Sequence, residues 1–88
     1  MEILLKMYYV YVLKNEERGI YIGYTANLER RIKEHNSNHK GYTGKGEWQC
    51  VYYEAYKDEA DARKHEMTLK ESGHKRRWLK EQIQDSLK

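Results

Sequence analysis

Met7 to Leu13 reads Met-Tyr-Tyr-Val-Tyr-Val-Leu, with no charged residue and no glycine or proline. A run this rich in tyrosine and valine predicts a strand. With no polar face, it is expected to be a central strand covered on both sides. Asn15 to Gly19 is a polar connection ending in glycine and suits a hairpin, so Ile20 to Gly23 is expected to pair back as a second strand. Thr25 or Asn27 can cap a helix on which Leu28, Ile32 and His35 recur at spacings of four and three. Arg31 borders the same face.

Farther along, Ser37 to Glu47 holds Gly41, Gly44 and Gly46 with Lys40 and Lys45, the composition of an open, mobile loop. Trp48 to Tyr56 predicts the third strand. Asp58 is placed to cap a second helix that runs to about Ser72 and stops at Gly73. His74 to Leu87 predicts a third helix, with Leu79, Ile83 and Leu87 at intervals of four and Trp78 as its anchor, the alternative for Trp78 being a surface that stacks on a base. The order β-β-α-β-α-α builds a small α/β (α+β) sandwich on an antiparallel sheet.

The 88 residues make one domain, with residues 7–80 as its core and residues 1–6 as a loosely held leader. Such a core is small, and nine tyrosines and two tryptophans must supply much of it. Cys50 is the only cysteine, which excludes an intrachain disulfide and a cysteine-based zinc site and fits a reducing, cytoplasmic setting. Lying mid-strand, it is expected in the core rather than as a nucleophile. The leading apolar run is too short for a signal peptide or a membrane span. His39, His65 and His74 have no ligand spacing and read as surface residues.

A net charge of +3 says little about partners until its distribution is considered. Residues 63–80 carry Arg63, Lys64, Lys70, Lys75, Arg76, Arg77 and Lys80 against Glu66 and Glu71. A segment of that kind can follow a phosphate backbone. Lys70, Arg76 and Arg77 are the candidate nucleic-acid contacts, with Lys40 and Lys45 closing over a bound strand.

Glu66 lies four after Ala62 and three before Leu69, on the stripe of the second helix that should face the sheet. A carboxylate there needs a cation. Either Arg63 or Lys70 supplies it at the surface, or Glu66 is the single carboxylate of a hard divalent ion that keeps most of its waters. Phosphodiester hydrolysis requires an activated water, neutralised charge at phosphorus and a stabilised leaving oxygen. Arg31 offers a permanently charged fork to non-bridging oxygens. Tyr11 or Tyr21 can accept or relay the water's proton if its pKa is pulled down, and His35 titrates near neutrality as a helper or replacement base.

Tyr9-Val10-Tyr11, Tyr21-Ile22-Gly23, Asn27-Leu28-Glu29-Arg30-Arg31 and His35-Asn36, with Glu66 followed by Leu69-Lys70, together resemble the signature of the GIY-YIG endonuclease superfamily. The likeness spans residues 8 to about 80 and is strongest to small stand-alone bacterial members of uncharacterised role. The superfamily includes homing and restriction enzymes and an incision subunit of DNA repair. The resemblance implies a three-stranded antiparallel sheet with the first strand central and helices on both sides. It implies catalytic roles for Tyr11, Tyr21, Arg31 and His35, and a Mg²⁺ or Mn²⁺ ion on Glu66. The expected partner is nucleic acid, DNA in preference to RNA and read by structure rather than sequence, with the protein a monomer or weak dimer. Two positions depart: the first motif reads Tyr-Val-Tyr, and Tyr24 stands where some members have a lysine that assists the base. The alternatives are a catalytically silent nucleic-acid-binding or adaptor module on the same fold, and an RNA-binding sheet displaying aromatics.

Overall fold

The computed structural model describes residues 6–17, 19–37 and 47–88. The leader, apart from Lys6, and the loop lysines Lys40 and Lys45 lie outside the described residues. Three strands form one antiparallel sheet in the order β2-β1-β3: β1 (Tyr8–Asn15), β2 (Gly19–Thr25) and β3 (Gln49–Tyr56). Three helices follow the expected order, α1 (Leu28–Ser37), α2 (Glu59–Glu71) and α3 (Gly73–Gln82).

The central strand is apolar on both faces because both are covered. Val10, Tyr11, Val12 and Leu13 each keep at most 1% of their surface exposed. Successive side chains on a strand point to opposite faces, so Val10 and Val12 join Ile22, Ala62, Leu69, Leu79 and Ile83 in one cluster. Tyr11 and Leu13 join Trp48, with Tyr21, Leu28 and Ile32 around them, in the other. Thus α2 and α3 cover one face and α1 the other. An irregularity between Val12 and Leu13 lets β3 insert Val51, because Val12 pairs with Tyr52 while Leu13 pairs with Cys50.

The β1–β2 hairpin closes at Asn15 opposite Gly19, whose φ of 86° lies in the left-handed region that favours glycine. Asn15 accepts from the Glu17 N–H at 2.8 Å and donates to the Glu47 carbonyl at 3.2 Å. At the start of α1 the two candidate caps divide the work. Thr25 Oγ1 accepts from the Asn27 N–H at 3.1 Å to make the turn, and Asn27 Oδ1 accepts from the Arg30 N–H at 3.0 Å as the cap.

Three expectations are corrected. Gly73 does not stop α2 in a left-handed conformation but opens α3. Ser72 ends the one helix through its N–H to the Thr68 carbonyl, at 2.9 Å, and caps the other by accepting from the Lys75 N–H, at 3.1 Å. α3 ends at Gln82 rather than Leu87, although turns beyond Ile83 still bring Leu87 against the core. Trp78 does not anchor that helix: it is 54% exposed, and Leu79 beside it is buried instead.

Asn36 links the two sides of the α1 layer. Its amide donates to the Trp48 carbonyl at 3.0 Å and accepts from the Trp48 N–H at 2.7 Å, joining the end of α1 to the start of β3. An Asn36→Ala variant loses both of these hydrogen bonds. Urea unfolding is expected to show a loss of roughly 1–3 kcal/mol, the scale of two hydrogen bonds.

Candidate functional site

On the α1 side of the sheet, Tyr11 lies across the second strand toward the helix. Its hydroxyl is 2.9 Å from His35 Nε2, and His35 is itself buried at 4% exposure. Tyr21 completes the group, with its ring centroid 4.7 Å from that of His35 and 6.3 Å from that of Tyr11. Trp48 meets Tyr21 edge-on at 6.2 Å.

Gly23 explains why the second motif ends in glycine. It pairs with Tyr11 across the strands. A Cβ at Gly23 would lie 2.6 Å from the Tyr11 hydroxyl oxygen and 3.0 Å from the edge of the Tyr21 ring. Only the bare backbone lets the phenol pass to His35.

Arg31, one turn before His35, is partly exposed and pairs with Glu34 at 3.4 Å. From α2, Glu66 approaches with its side chain only 15% exposed and one oxygen 3.3 Å from Lys70 Nζ. The same ammonium sits 5.6 Å over the Tyr21 ring. Lys70, Arg76 and Lys80 line a cleft of about 370 Å³ with Ile20, Tyr21 and Ile22. Arg76 also donates to the Leu69 and Lys70 carbonyls, at 3.1 and 2.8 Å, and so closes the end of α2. Arg77 is exposed on the outer side of α3.

Burial pushes the Tyr11 phenol up to about 12, although Arg31 pulls the other way. Burial also lowers His35 below its ordinary value, and Arg31 beside it adds to that effect. A neutral His35 with its proton on Nδ1 can accept the Tyr11 proton at Nε2.

The family described as the GIY-YIG catalytic domain matches residues 7–80. The chain belongs to the GIY-YIG family. Within it, a UPF0213 protein of Clostridium perfringens is 39% identical over 66 residues, covering 73% of this chain and 71% of the relative. The UPF0213 protein of Halalkalibacterium halodurans is 38% identical over 79 residues, covering 86% and 80%. A solution NMR structure of the UPF0213 protein from Bacillus halodurans superposes with a TM-score of 0.54 at 31% identity, over 83% of this chain and 81% of that one. These relatives place the chain beside the UPF0213 proteins within the GIY-YIG family.

The GIY-YIG motif residues thus converge: Tyr11, Tyr21, Gly23 and His35 form one cluster, and Arg31 and Glu66 flank it. Tyr24 does not join them. It packs against the α2–α3 layer with the Arg63 guanidinium 6.0 Å from its ring centroid, so it faces away from Tyr11. The approach of Lys70 and Lys80 to Tyr21 was not specified by the sequence, although the four-residue spacing of Glu66 and Lys70 made their pairing one of two readings.

A second polar group escaped sequence reasoning altogether. Tyr52, Glu54 and Tyr56 alternate on one face of β3, and both hydroxyls donate to the Glu54 carboxylate. His65, expected at the surface, reaches Glu54 at 2.7 Å and also contacts Tyr56. Burial would push Glu54 up, but the two hydroxyls and His65 hold it below its usual range. The period-two spacing of Tyr52, Glu54 and Tyr56 was the available signal. The group pins α2 to β3 and lies on the sheet face away from Tyr11.

Among the described residues, no set of three or more His, Cys, Asp or Glu side chains converges on a cation position. Glu66 is a lone carboxylate, the donor set of a hydrated hard ion. Lys70, with a half-exposed side chain, can swing out to make room. The residues therefore fit one divalent cation bound mostly through water.

His35 has a folded-state midpoint below 6.5, so between that midpoint and 6.5 the unfolded chain binds more protons. The resulting stabilisation is present above pH 6.5 and is lost as pH falls through the folded midpoint. NMR titration of the imidazole is expected to place the His35 midpoint below 6.5, and Arg31→Gln to move it upward. Gly23→Ala is expected to destabilise the fold by roughly 1–3 kcal/mol in urea through overpacking against Tyr11.

Proposed function

We propose that the chain is a metal-dependent endonuclease that hydrolyses DNA phosphodiester bonds and selects its substrate by structure rather than by sequence. The observation that carries this reading is the 2.9 Å contact between the Tyr11 hydroxyl and a buried His35. A phenol held near 12 is a poor base alone, but a phenol already bonded to a neutral imidazole is a relay. Tyr11 is fully covered here, so the neighbouring Tyr21 ring must move aside on substrate entry; as the attacking water then forms its bond to phosphorus, its proton passes to the Tyr11 oxygen. The Tyr11 proton passes to His35 Nε2 in the same movement.

Arg31 presents its guanidinium to the non-bridging oxygens, where charge builds up in the transition state. Tyr21 shields the relay from bulk water and orients the His35 ring through their 4.7 Å contact. Bound at Glu66, Mg²⁺ or Mn²⁺ would neutralise charge on the phosphate and on the departing 3′ oxygen. Lys80, joined by Lys70 once a metal displaces it from Glu66, would hold a neighbouring phosphate in the cleft beside Tyr21.

One observation favours a second reading, a catalytically silent nucleic-acid-binding module. The Lys70 ammonium already neutralises Glu66 at 3.3 Å, as a structural ion pair would. The two readings separate in one experiment. Labelled single-stranded, nicked and branched DNA is incubated with Mg²⁺ or Mn²⁺ and the wild type, Glu66→Gln, Arg31→Ala or Tyr11→Phe. For the nuclease, cutting requires the metal and falls by about 10²-fold or more in each variant, the scale of a lost acid–base or charge-stabilising group. Its rate rises with pH as His35 deprotonates and levels off above 6.5. Binding without cutting by the wild type under every condition would establish the silent module.

A further inference from the structure

On the other side of the α2–α3 elbow from Tyr21 lies a pocket of about 400 Å³ that the chemistry above does not use. His65, Thr68 and Leu69 of α2 line it with His74, Lys75 and Trp78 of α3. Trp78 is 54% exposed there, an unusual state for a side chain that helices normally bury. Its surroundings differ from those of a protein-docking groove, which would put further apolar side chains around the indole. Leu69 is the only aliphatic residue in the lining, and it is itself buried.

Lys75 is the charged side chain in the lining and Arg77 is exposed beside Trp78 along α3, with Glu81 one turn farther on. α3 has no acidic residue in its first turn. None of the ion pairs among the described residues uses Lys75 or Arg77. An exposed aromatic face flanked by uncompensated cations matches a stacked base whose phosphates run along the rim.

We propose that this pocket receives an unpaired nucleobase from a single-stranded segment, stacked on Trp78, with its flanking phosphates beside Lys75 and Arg77. Chain neighbours open to the two sides of the elbow: His65, Leu69 and Lys75 line the pocket, while Glu66, Lys70 and Arg76 stand toward Tyr21. Only about one helix width (~10 Å) separates the two sides. A strand crossing the elbow leaves its unpaired base on Trp78 and enters the cleft at Lys70. Every base has a π-face, so such a contact selects single-stranded character without selecting sequence. That choice of substrate rests on the nuclease reading, whereas the binding itself does not.

The two indoles allow a direct test, because Trp48 is 2% exposed and Trp78 54%. Oligothymidylate is titrated into the Glu66→Gln protein without divalent metal, and tryptophan emission is followed. Emission is expected to be quenched on binding. In Trp78→Ala on the same background, the quench is expected to vanish and affinity to fall about tenfold, the scale of one lost stacking contact. Trp78→Phe is expected to recover most of that affinity without the quench, and Lys75→Ala to lower the salt dependence by about one phosphate contact. Blunt duplex DNA is expected to bind wild type and Trp78→Ala alike. Equal affinity of wild type and Trp78→Ala for oligothymidylate, or a quench that survives Trp78→Ala, overturns the proposal. Because no cleavage is read, a chain that never cuts DNA can still pass, and an active nuclease can still fail.

Discussion

A phenol buried to its last atom must find a partner for its hydroxyl, and in this fold the partner is His35. Tyr11 keeps none of its surface exposed. An unsatisfied hydroxyl at such a place costs about 1–3 kcal/mol, a large share of the stability expected of an 88-residue chain. The requirement propagates outward. α1 must present His35 at one position, Gly23 must lack a side chain so that the phenol can pass, and Asn36 must hold the end of α1 to Trp48. The geometry that could relay a proton is thus also the geometry that satisfies the core. For the same reason a change such as Tyr11→Phe acts on two levels, since it removes the proton path and leaves Nε2 of a buried imidazole without its partner.

Much of this was legible in the sequence, because strand alternation carries strong information when both faces are buried. The Met7–Leu13 run specified a central strand, and the spacing of Leu28, Ile32 and His35 specified the face of α1. The hairpin followed from a polar loop ending in glycine. Less legible were the helix ends around residues 72–83, where competing signals sit side by side. Ser72 and Gly73 each suit the boundary, and the chain uses the serine twice instead of the glycine once. Trp78 misled for a related reason. Periodicity placed Leu79 and Ile83 on the buried stripe, but size and apolar character alone drew Trp78 inward, and α3 has room for only one of the two adjacent residues.

Electrostatics set the remaining pattern. Lys70 serves two groups, the Glu66 carboxylate at 3.3 Å and the Tyr21 ring at 5.6 Å. Such a cation offsets the charge of a partly buried carboxylate, and its half-exposed stem gives it somewhere else to go. Arg31 works in the opposite sense at the relay, favouring the Tyr11 phenolate and disfavouring the charged His35. Burial opposes the phenolate more strongly than Arg31 favours it, and burial and Arg31 together oppose the charged imidazole, so both partners of the Tyr11–His35 hydrogen bond are held neutral.

The elbow between α2 and α3 then gives a small domain two faces at little structural expense. Arg76 closes the end of α2 by donating to the Leu69 and Lys70 carbonyls, so the turn is fixed from within. The elbow holds Lys70 against Tyr21 on one side and leaves Trp78 open on the other. Consecutive residues of two short helices thus face opposite ways, Leu69 and Lys75 toward the pocket at Trp78 and Lys70 and Arg76 toward the cleft at Tyr21, so a ligand that spans the turn would meet both.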